Sequence, residues 1–501
     1  MSRAPGALAI VLHTHMPYVE GFGTWPFGEE WLWEAIAGCY LPLLDALDAA
    51  PGRVTLSVTP VLADQLEAPG ALDRCAAFLR DVRAETHRLD IAAAREPGEV
   101  AALEHSASQY ERAAAALGRG EGAETAGVEG GGKAGIEGVG KAGIEGIGKA
   151  GIAGIGKAGI EGGDEAAGAS GGMAARLAAH ATWTSAATHA VLPLLATAGG
   201  VRLQLATGIA AHRARAGGWG GGFWLPECAH APWLDPLLEE AGAHAVCVDL
   251  TDVTAERRPL RSPAGPLLVP IDRSLVELVW SGAGYPSRGA YRDTFRLTER
   301  RHEAWAVDGQ PYDPARGTEQ AQADARDFAA RAAARLRDGG LAMVALDTEL
   351  LGLHWHEGVT WLAALLETAE ETGLRIAPLD ELLREHEPAP APDLPVTSWG
   401  QPRDLLTWSG PRAGGLAWRQ RAAELRAVAA LPGVPDRALR ELLALQSSDW
   451  AFLSARASAG PYPAERAAAH EAAFDAALAG DLPPELRNLA PHLAATALAA
   501  P

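Results

Sequence analysis

Short apolar runs alternate with amphipathic stretches along most of this 501-residue chain, and this alternation restricts the possible fold more than any other feature. Five apolar runs are typical of buried β-strands, at residues 7–12, 54–60, 223–225, 245–249 and 341–346. Residues 236–241 and 325–336 have helical spacing, and each stretch precedes one of these runs. Alternating strands and helices predict a parallel α/β fold. Polar residues follow several of the predicted strands, which is where active-site groups collect in a parallel barrel.

Two stretches of unusual composition divide the chain. Residues 118–172 contain a repeated GKAGIEG unit, rich in glycine and poor in large apolar side chains. Such a unit builds neither a stable helix nor much core, so we expect a mobile surface insert without a catalytic role, with a repeat solenoid as the alternative. Residues 387–395 (EPAPAPDLP) are typical of a Pro-rich linker. The stretches 416–430, 436–446 and 464–477 have helical periodicity, so we predict a catalytic domain at 1–386 and a helical domain at 396–501.

Charge and cysteine content narrow the classes of partner and compartment. The formal charge of −20 argues against nucleic acid or an anionic membrane as the main partner, because both repel an acidic chain. Four cysteines without a CxxC pair favour a reducing compartment. The run at 7–12 is too short for a signal peptide, and no apolar run is long enough to span a membrane. We therefore expect a cytoplasmic protein with no nucleic-acid or membrane partner, and we favour a monomer.

Two carboxylates follow predicted strands and are candidates for acid–base chemistry. Glu227 comes after the run at 223–225 and a proline, and Asp347 comes directly after the run at 341–346. If both side chains project into one barrel mouth, one can act as nucleophile and the other can protonate the leaving oxygen of a glycosidic bond. Many strands also end in a carboxylate that only caps the next helix, and this structural interpretation stays open at this stage.

Histidines and tryptophans extend the set of candidate residues. His13 and His15 follow the first predicted strand, and His354 and His356 follow Asp347. Imidazoles hydrogen-bond sugar hydroxyls, but four histidines are also compatible with a metal site. The chain has 15 tryptophans against 8 phenylalanines and 7 tyrosines, and the indole ring is a platform for the apolar face of a sugar. For any one tryptophan, filling of the core is an equally good interpretation.

A series of short motifs runs through the chain in a fixed order. They are 12–18 (LHTHMPY), 27–36 (FGEEWLWEAI), 40–44 (YLPLL), 187–189 (ATH), 192–195 (LPLL), 224–229 (WLPECA), 279–281 (VWS), 284–286 (GYP), 347–350 (DTEL), 398–400 (SWG), Trp408 and 446–452 (QSSDWAF). By these motifs the chain resembles glycoside hydrolase family 57, and within it the α-1,4-glucan branching enzymes. The resemblance covers nearly the whole chain except 118–172.

This resemblance implies an incomplete seven-stranded (β/α) barrel followed by a helical domain. It implies that Glu227 is the nucleophile, that Asp347 is the general acid/base, and that His15 contacts the sugar at the cleavage subsite. The aromatic residues implied to line the glucan cleft are Trp280, Trp399 and Trp408. The residues implied to lie in or near the pocket are His13, His189 and Asp449. The implied reaction cleaves an α-1,4-glucan, transfers the chain to a 6-hydroxyl through a covalent glycosyl-enzyme, and needs neither a metal nor an organic cofactor.

The sequence departs from the family pattern in two places. The stretch after the acid/base usually reads Gly-His-Trp-Trp, whereas this chain has Leu353 and His354 after Gly352. The branching enzymes also carry a tyrosine in a loop over the cleft, and the segment 250–270 contains none. This absence motivates an alternative, an α-1,4-glucan hydrolase or a 4-α-glucanotransferase on the same scaffold. A metal-dependent carbohydrate deacetylase using the four histidines, and a glucan-binding protein without activity, are the more remote alternatives.

Overall fold

The computed structural model describes residues 6–23, 27–118, 172–369, 371–481 and 488–499. The predicted Gly-rich insert at 118–172 therefore lies outside the described residues apart from its two ends. Among the described residues, no helix is both long and apolar enough to cross a lipid bilayer.

One curled sheet forms the centre of the molecule. Its strands are β1 Ala7–Thr14, β2 Thr55–Val58, β3 Ala181–Ser185, β4 Gly222–Trp224, β5 Ala245–Val248, β6 Leu260–Arg261, β7 Leu267–Pro270, β8 Leu341–Asp347, β9 Arg375–Ile376 and β10 Ala389–Pro390. Seven of these strands run parallel in the order β8-β1-β2-β3-β4-β5-β7. This arrangement confirms the predicted fold class, an incomplete seven-stranded (β/α) barrel.

The open side of the barrel lies between β7 and β8. A backbone hydrogen bond from Asp272 N–H to the Met343 carbonyl (2.7 Å) crosses this opening. On the far side of β7, β6 pairs antiparallel with β7, and β10 pairs parallel with β6. Residues 389–390 of the predicted linker thus extend the sheet by one short strand.

Helices surround the sheet and continue after it. They are α1 Glu29–Ala35, α2 Leu41–Ala49, α3 Pro60–Leu66, α4 Ala71–Ala77, α5 Ala84–Ala93, α6 Pro97–Gly118, α7 Gly172–His180, α8 Ala198–Ala216, α9 Asp235–Glu240, α10 Arg273–Trp280, α11 Pro314–Arg335, α12 Gly358–Thr368, α13 Leu379–Glu385, α14 Leu406–Ser409, α15 Gly414–Ala429, α16 Asp436–Leu445, α17 Ser448–Arg456 and α18 Tyr462–Leu478. Two π-helical turns, Ile36–Tyr40 and Phe78–Arg83, join α1 to α2 and α4 to α5.

The strands form where apolar residues are buried on both faces. Every residue of β1 is buried, as expected for a central strand with neighbours on both edges and helices on its outer face. Gly222 in β4 is needed for packing, because a Cβ there would lie 2.1 Å from Nε1 of the Trp183 indole. The strands β3 and β7 are absent from the sequence prediction. ATWTS in β3 has few apolar residues, and LLVP in β7 is apolar but only four residues long.

The C-terminal helices pack directly on the barrel. Leu439, Leu442 and Trp450 share one apolar cluster with Tyr18 and Leu203, which belong to the barrel part of the chain. The predicted helical region after residue 396 contains α14–α18. The exact division into domains at 386 and 396 stays a prediction.

Candidate active site

The strand ends bring a histidine and a carboxylate side by side. His13 near the end of β1 is in register with Asp347 at the end of β8 on one side and with Ser57 of β2 on the other. Because these strands are parallel, their carboxyl ends meet at the same edge of the sheet. A hydrogen bond between the Thr14 and Thr348 hydroxyls (2.8 Å) joins the two loops immediately beyond the strands.

Three imidazoles and an indole stack at this edge. The His13 ring lies 4.4 Å from the Trp224 ring and 4.8 Å from the His189 ring, and the His189 ring lies 4.1 Å from the His15 ring. Burial, together with the charge of His15, holds the pKa of His13 and of His189 well below the ordinary value for histidine. These two imidazoles are therefore neutral in the physiological pH range.

A hydrogen-bond chain leads from this stack to Glu227. His13 Nε2 lies 2.9 Å from His189 Nε2, and His189 Nδ1 lies 2.8 Å from the Ser448 hydroxyl. With both rings neutral, we assign the protons so that His13 donates to His189, His189 donates to Ser448, and the Ser448 hydroxyl donates to the Glu227 carboxylate. The chain orients the carboxylate from one side.

Glu227 itself occupies a strained backbone conformation just beyond β4. Its φ is +62°, and His189 has a φ of +60°, in the left-handed region that residues other than glycine rarely adopt. Such conformations cost about 1–3 kcal/mol each and are concentrated at functional sites. The second oxygen of Glu227 accepts a hydrogen bond from Trp399 Nε1 (2.9 Å). Burial raises the pKa of Glu227, although hydrogen bonds from Trp399 and Ser448 and the charge of His15 act against this rise.

Asp347 has the more strongly perturbed carboxyl group. Burial raises its pKa well above the ordinary value, and the charges of Glu349, Glu227 and Asp449 raise it further. Glu227 and Asp347 therefore face the same site with unequal tendencies to ionise, which is the pattern expected of a general acid beside a carboxylate.

His15 is the imidazole of the site whose pKa is raised rather than lowered. Its Nε2 lies 3.0 Å from one Asp449 oxygen and 3.1 Å from the other. Burial lowers the pKa of His15, but the charge and hydrogen bond of Asp449, with the charges of Glu349 and Glu227, raise it above the ordinary value. Asp449 lies in the first turn of α17, and Ser448 N–H donates to the His189 carbonyl (3.1 Å). The C-terminal helices thus contribute side chains to the barrel mouth.

The three candidate cleft tryptophans have different environments. Trp280 is 48% exposed, and its ring stacks 6.4 Å from that of Trp399. Trp408 is buried, and it packs in the apolar cluster that also contacts Trp399. Trp280 and the half-buried Trp399 therefore present accessible ring surface, whereas Trp408 is enclosed in its apolar cluster.

Several residues at the site were not selected from the sequence. Trp224 stacks on His13, Ser448 bonds to His189, and Glu349 accepts a hydrogen bond from Tyr40 (2.7 Å). Trp224, Ser448, Glu349 and Tyr40 all lie within the family motifs of the sequence. A motif does not reveal which of its side chains meet in space.

The four histidines considered for a metal site do not come together. His356 Nε2 accepts a hydrogen bond from the Gln109 amide (3.1 Å), and the His356 ring packs against Tyr312 rather than against His13 or His15. His354 is exposed on the surface. Within the part of the chain that the structure describes, no group of three or more His, Cys, Asp or Glu side chains is arranged to hold a metal ion.

Comparison with known proteins places the chain among enzymes of one family. Residues 182–395 match glycosyl hydrolase family 57, and residues 421–482 match the C-terminal region of 1,4-alpha-glucan branching enzymes. A probable 1,4-alpha-glucan branching enzyme of Mycobacterium tuberculosis is 30% identical, over 98% of this chain and 95% of its own length. A 1,4-alpha-glucan branching enzyme of Thermococcus kodakarensis is 27% identical, over 94% of this chain and 73% of its own length.

A solved structure of a branching enzyme is also similar to this chain. The crystal structure of a GH57-type branching enzyme from Pyrococcus horikoshii superposes with a TM-score of 0.78 at 26% identity, and the match covers 93% of this chain and 88% of that chain.

Proposed function

This chain belongs to glycoside hydrolase family 57, and from that premise we propose that it is a retaining 1,4-α-glucan branching enzyme. It cleaves an α-1,4 linkage of a glucan chain and transfers the released segment to a glucan 6-hydroxyl. The observation that carries the proposal is the pairing of Glu227 and Asp347 at one barrel mouth, with Asp347 the more strongly held in its protonated form.

In the first step Glu227 attacks the anomeric carbon while Asp347 protonates the leaving oxygen. A double displacement needs the two carboxyl groups about 5–5.5 Å apart, with a covalent glycosyl-enzyme between the two steps. The Trp399 and Ser448 hydrogen bonds stabilise the ionised form of Glu227. The charge of Glu227 raises the pKa of Asp347, so the proton stays on the acid until the substrate takes it.

In the second step the loss of the Glu227 charge changes Asp347 from an acid into a base. Once Glu227 is esterified it no longer repels a negative charge on Asp347, which can then accept a proton from the incoming hydroxyl. His15, held by Asp449, is placed to hydrogen-bond the sugar at the cleavage subsite. The faces of Trp280 and Trp399 hold the acceptor chain and keep water away, which favours transfer over hydrolysis.

A second candidate function is supported by one observation. Segment 250–270 contains no tyrosine, and its regular secondary structure is limited to the short β6–β7 hairpin. If water enters the cleft in place of an acceptor, the product is that of an α-1,4-glucan hydrolase.

Product analysis after incubation with amylose separates the two functions. We expect α-1,6 linkages, detected as new short linear chains after digestion of the product with isoamylase. Reducing ends without isoamylase-sensitive linkages would refute branching. The matched control is Glu227→Gln, which keeps the shape of the side chain and should lower turnover by about 10³-fold or more while binding of a maltooligosaccharide survives. Undiminished turnover of this variant would refute the role of Glu227.

A further inference from the structure

A π-helical turn, Ile36–Tyr40, packs against the loop that follows β8. The π turn interrupts what is otherwise a continuous helix from α1 to α2, and such turns are frequent at functional sites. The Cys39 thiol donates to the Thr348 carbonyl (3.3 Å). The turn therefore contacts the residue directly after Asp347.

At the point of contact, Gly352 lies too close to the π turn to carry a side chain. A Cβ on Gly352 would lie 2.2 Å from the Gly38 carbonyl oxygen, and Gly352 has a φ of +108°. Next to it, Leu353 Cδ2 lies 3.5 Å from the position of a Cβ on Gly38. Leu353, one of the two departures from the family pattern, is thus an apolar contact for the π turn.

Glu349 links three elements at this contact. Its Oε1 accepts hydrogen bonds from the Tyr40 hydroxyl (2.7 Å) and from the His15 main-chain N–H (3.0 Å). Tyr40 is at the end of the π turn, His15 follows β1, and Glu349 follows β8. One carboxylate oxygen therefore joins the loop of the sugar-contacting histidine to the loop of the acid/base.

We propose that Glu349 is a positioning residue for Asp347: Tyr40 and the His15 main chain fix its carboxylate in the loop immediately after Asp347, so that its negative charge acts on that acid. This inference rests on the proposed role of Asp347 as general acid/base.

The groups that face Glu349 agree with this role. They come from the π turn (Cys39 and Tyr40), the end of β1 (His15) and the end of β8 (Asp347). The charges of Glu227, from the turn after β4, and of Asp449, from α17, act on the same Asp347 and His15. Burial raises the pKa of Glu349 to about 7, while the Tyr40 hydrogen bond, the His15 charge and the His15 N–H lower it. Glu349 is thus largely charged above pH 7. In this pH range the rate of cleavage depends on the fraction of Asp347 that keeps its proton. Its charge is the first neighbouring charge to raise the pKa of Asp347, ahead of Glu227.

The test is the pH dependence of kcat for Glu349→Gln, measured as initial cleavage of amylose. Glutamine keeps the size of the side chain and an acceptor for Tyr40 and His15, but removes the charge. We expect the alkaline limb of the pH profile of kcat to move by about one pH unit toward acid pH. Activity at pH 6 and the KM for amylose should change little, and kcat at pH 8.5 should fall about tenfold. The matched control is Glu357→Gln, a buried glutamate that bonds to the Arg292 N–H, for which we expect no shift of the limb.

A second variant tests whether Tyr40 acts through Glu349. Tyr40→Phe removes the hydrogen bond that stabilises the Glu349 charge. The alkaline limb of the kcat profile of this variant should therefore also move toward acid pH, by a smaller amount. In the Glu349→Gln background Tyr40→Phe should add nothing to that shift, because there is no charge left to stabilise. An unmoved limb in Glu349→Gln, or shifts that add in the double variant, would overturn the proposal.

Failure of this inference is distinguishable from failure of the proposed function. Cleavage of amylose is measured whether the acceptor is water or a glucan hydroxyl, so the test stands even if no α-1,6 linkages form. Asp347→Asn separately tests the premise that Asp347 is the general acid/base. If this variant keeps full activity and an unchanged alkaline limb, both the premise and the inference about Glu349 are wrong.

Discussion

At the residue scale, the site keeps three stacked imidazoles in different charge states. Burial makes His13 and His189 neutral, and they serve as hydrogen-bonding links toward Glu227. His15 is slightly more exposed, and the neighbouring Asp449, Glu349 and Glu227 raise its pKa. The same residue type therefore has two roles, and the difference arises from the carboxylates within reach of each ring.

The His15–Asp449 pair predicts a pH-dependent stability. Because the folded state raises the pKa of His15, the stabilisation is fully present below the unfolded value of about 6.5 and is lost as pH rises through the folded value. Asp449→Asn should therefore lower the free energy of unfolding by about 1.5–3 kcal/mol at pH 6. At pH 9 the loss should be clearly smaller.

Urea denaturation at the two pH values measures this difference. Asp475→Asn is the matched control, because Asp475 pairs with Arg426 on the surface, where an ion pair contributes less than about 1 kcal/mol. A loss in Asp449→Asn that is equal at both pH values, or larger at pH 9, would contradict the assignment of a protonated His15.

At the scale of elements, irregular backbone places the functional groups. The left-handed residues His189 and Glu227 turn the chain sharply after β3 and β4. The π turn Ile36–Tyr40 meets the loop after β8 through the Gly38–Gly352 contact. The regular strands supply the frame, while these turns decide which side chains enter the site.

The Gly38–Gly352 contact predicts that Gly352→Ala is strongly destabilising. The added Cβ would lie 2.2 Å from the Gly38 carbonyl oxygen at a φ that favours glycine, so we expect a loss of about 3 kcal/mol or more in the free energy of unfolding. Gly415→Ala in α15 is the matched control, because a Cβ there meets no atom within 4 Å and alanine favours the helix. Chemical denaturation measures both variants, and equal stabilities would show that the loop and the π turn are not in close contact.

At the scale of the whole molecule, the barrel and the C-terminal helices form one active unit. The buried Glu424 of α15 accepts hydrogen bonds from the N–H groups of Ala196 and Thr197, from the Thr197 hydroxyl and from the Gln446 amide. Thr197 is the N-cap of α8. One glutamate therefore ties the helical region to the start of a barrel helix.

Removal of this link should weaken the whole structure. Glu424→Ala leaves several donors without a partner, and we expect a loss of about 3 kcal/mol in the free energy of unfolding. The matched control is Glu85→Ala, which breaks an exposed ion pair with Arg88 and should cost little stability. Urea denaturation followed by tryptophan fluorescence measures both variants. Similar losses in the two variants would show that Glu424 does not couple the two parts of the chain.

The amino-acid sequence was enough to predict the sheet and the main candidate residues. The strands at 7–12, 223–225, 245–249 and 341–346 were predictable because their apolar runs are continuous, and Glu227 and Asp347 stood out because they follow such runs. The branching-type motifs indicated the family, and the helical C-terminal region followed from its periodicity.

Which of these residues meet in space could be read only from the folded chain. Glu349 bonds to Tyr40 and to His15 across 309 and 334 residues of chain, and His15 meets Asp449 across 434. The burial of Trp408 and the different charge states of His13 and His15 depend on packing around each side chain. Local patterns predict local structure because they reflect backbone preference and burial of one face, whereas these contacts exist only after distant segments have packed together.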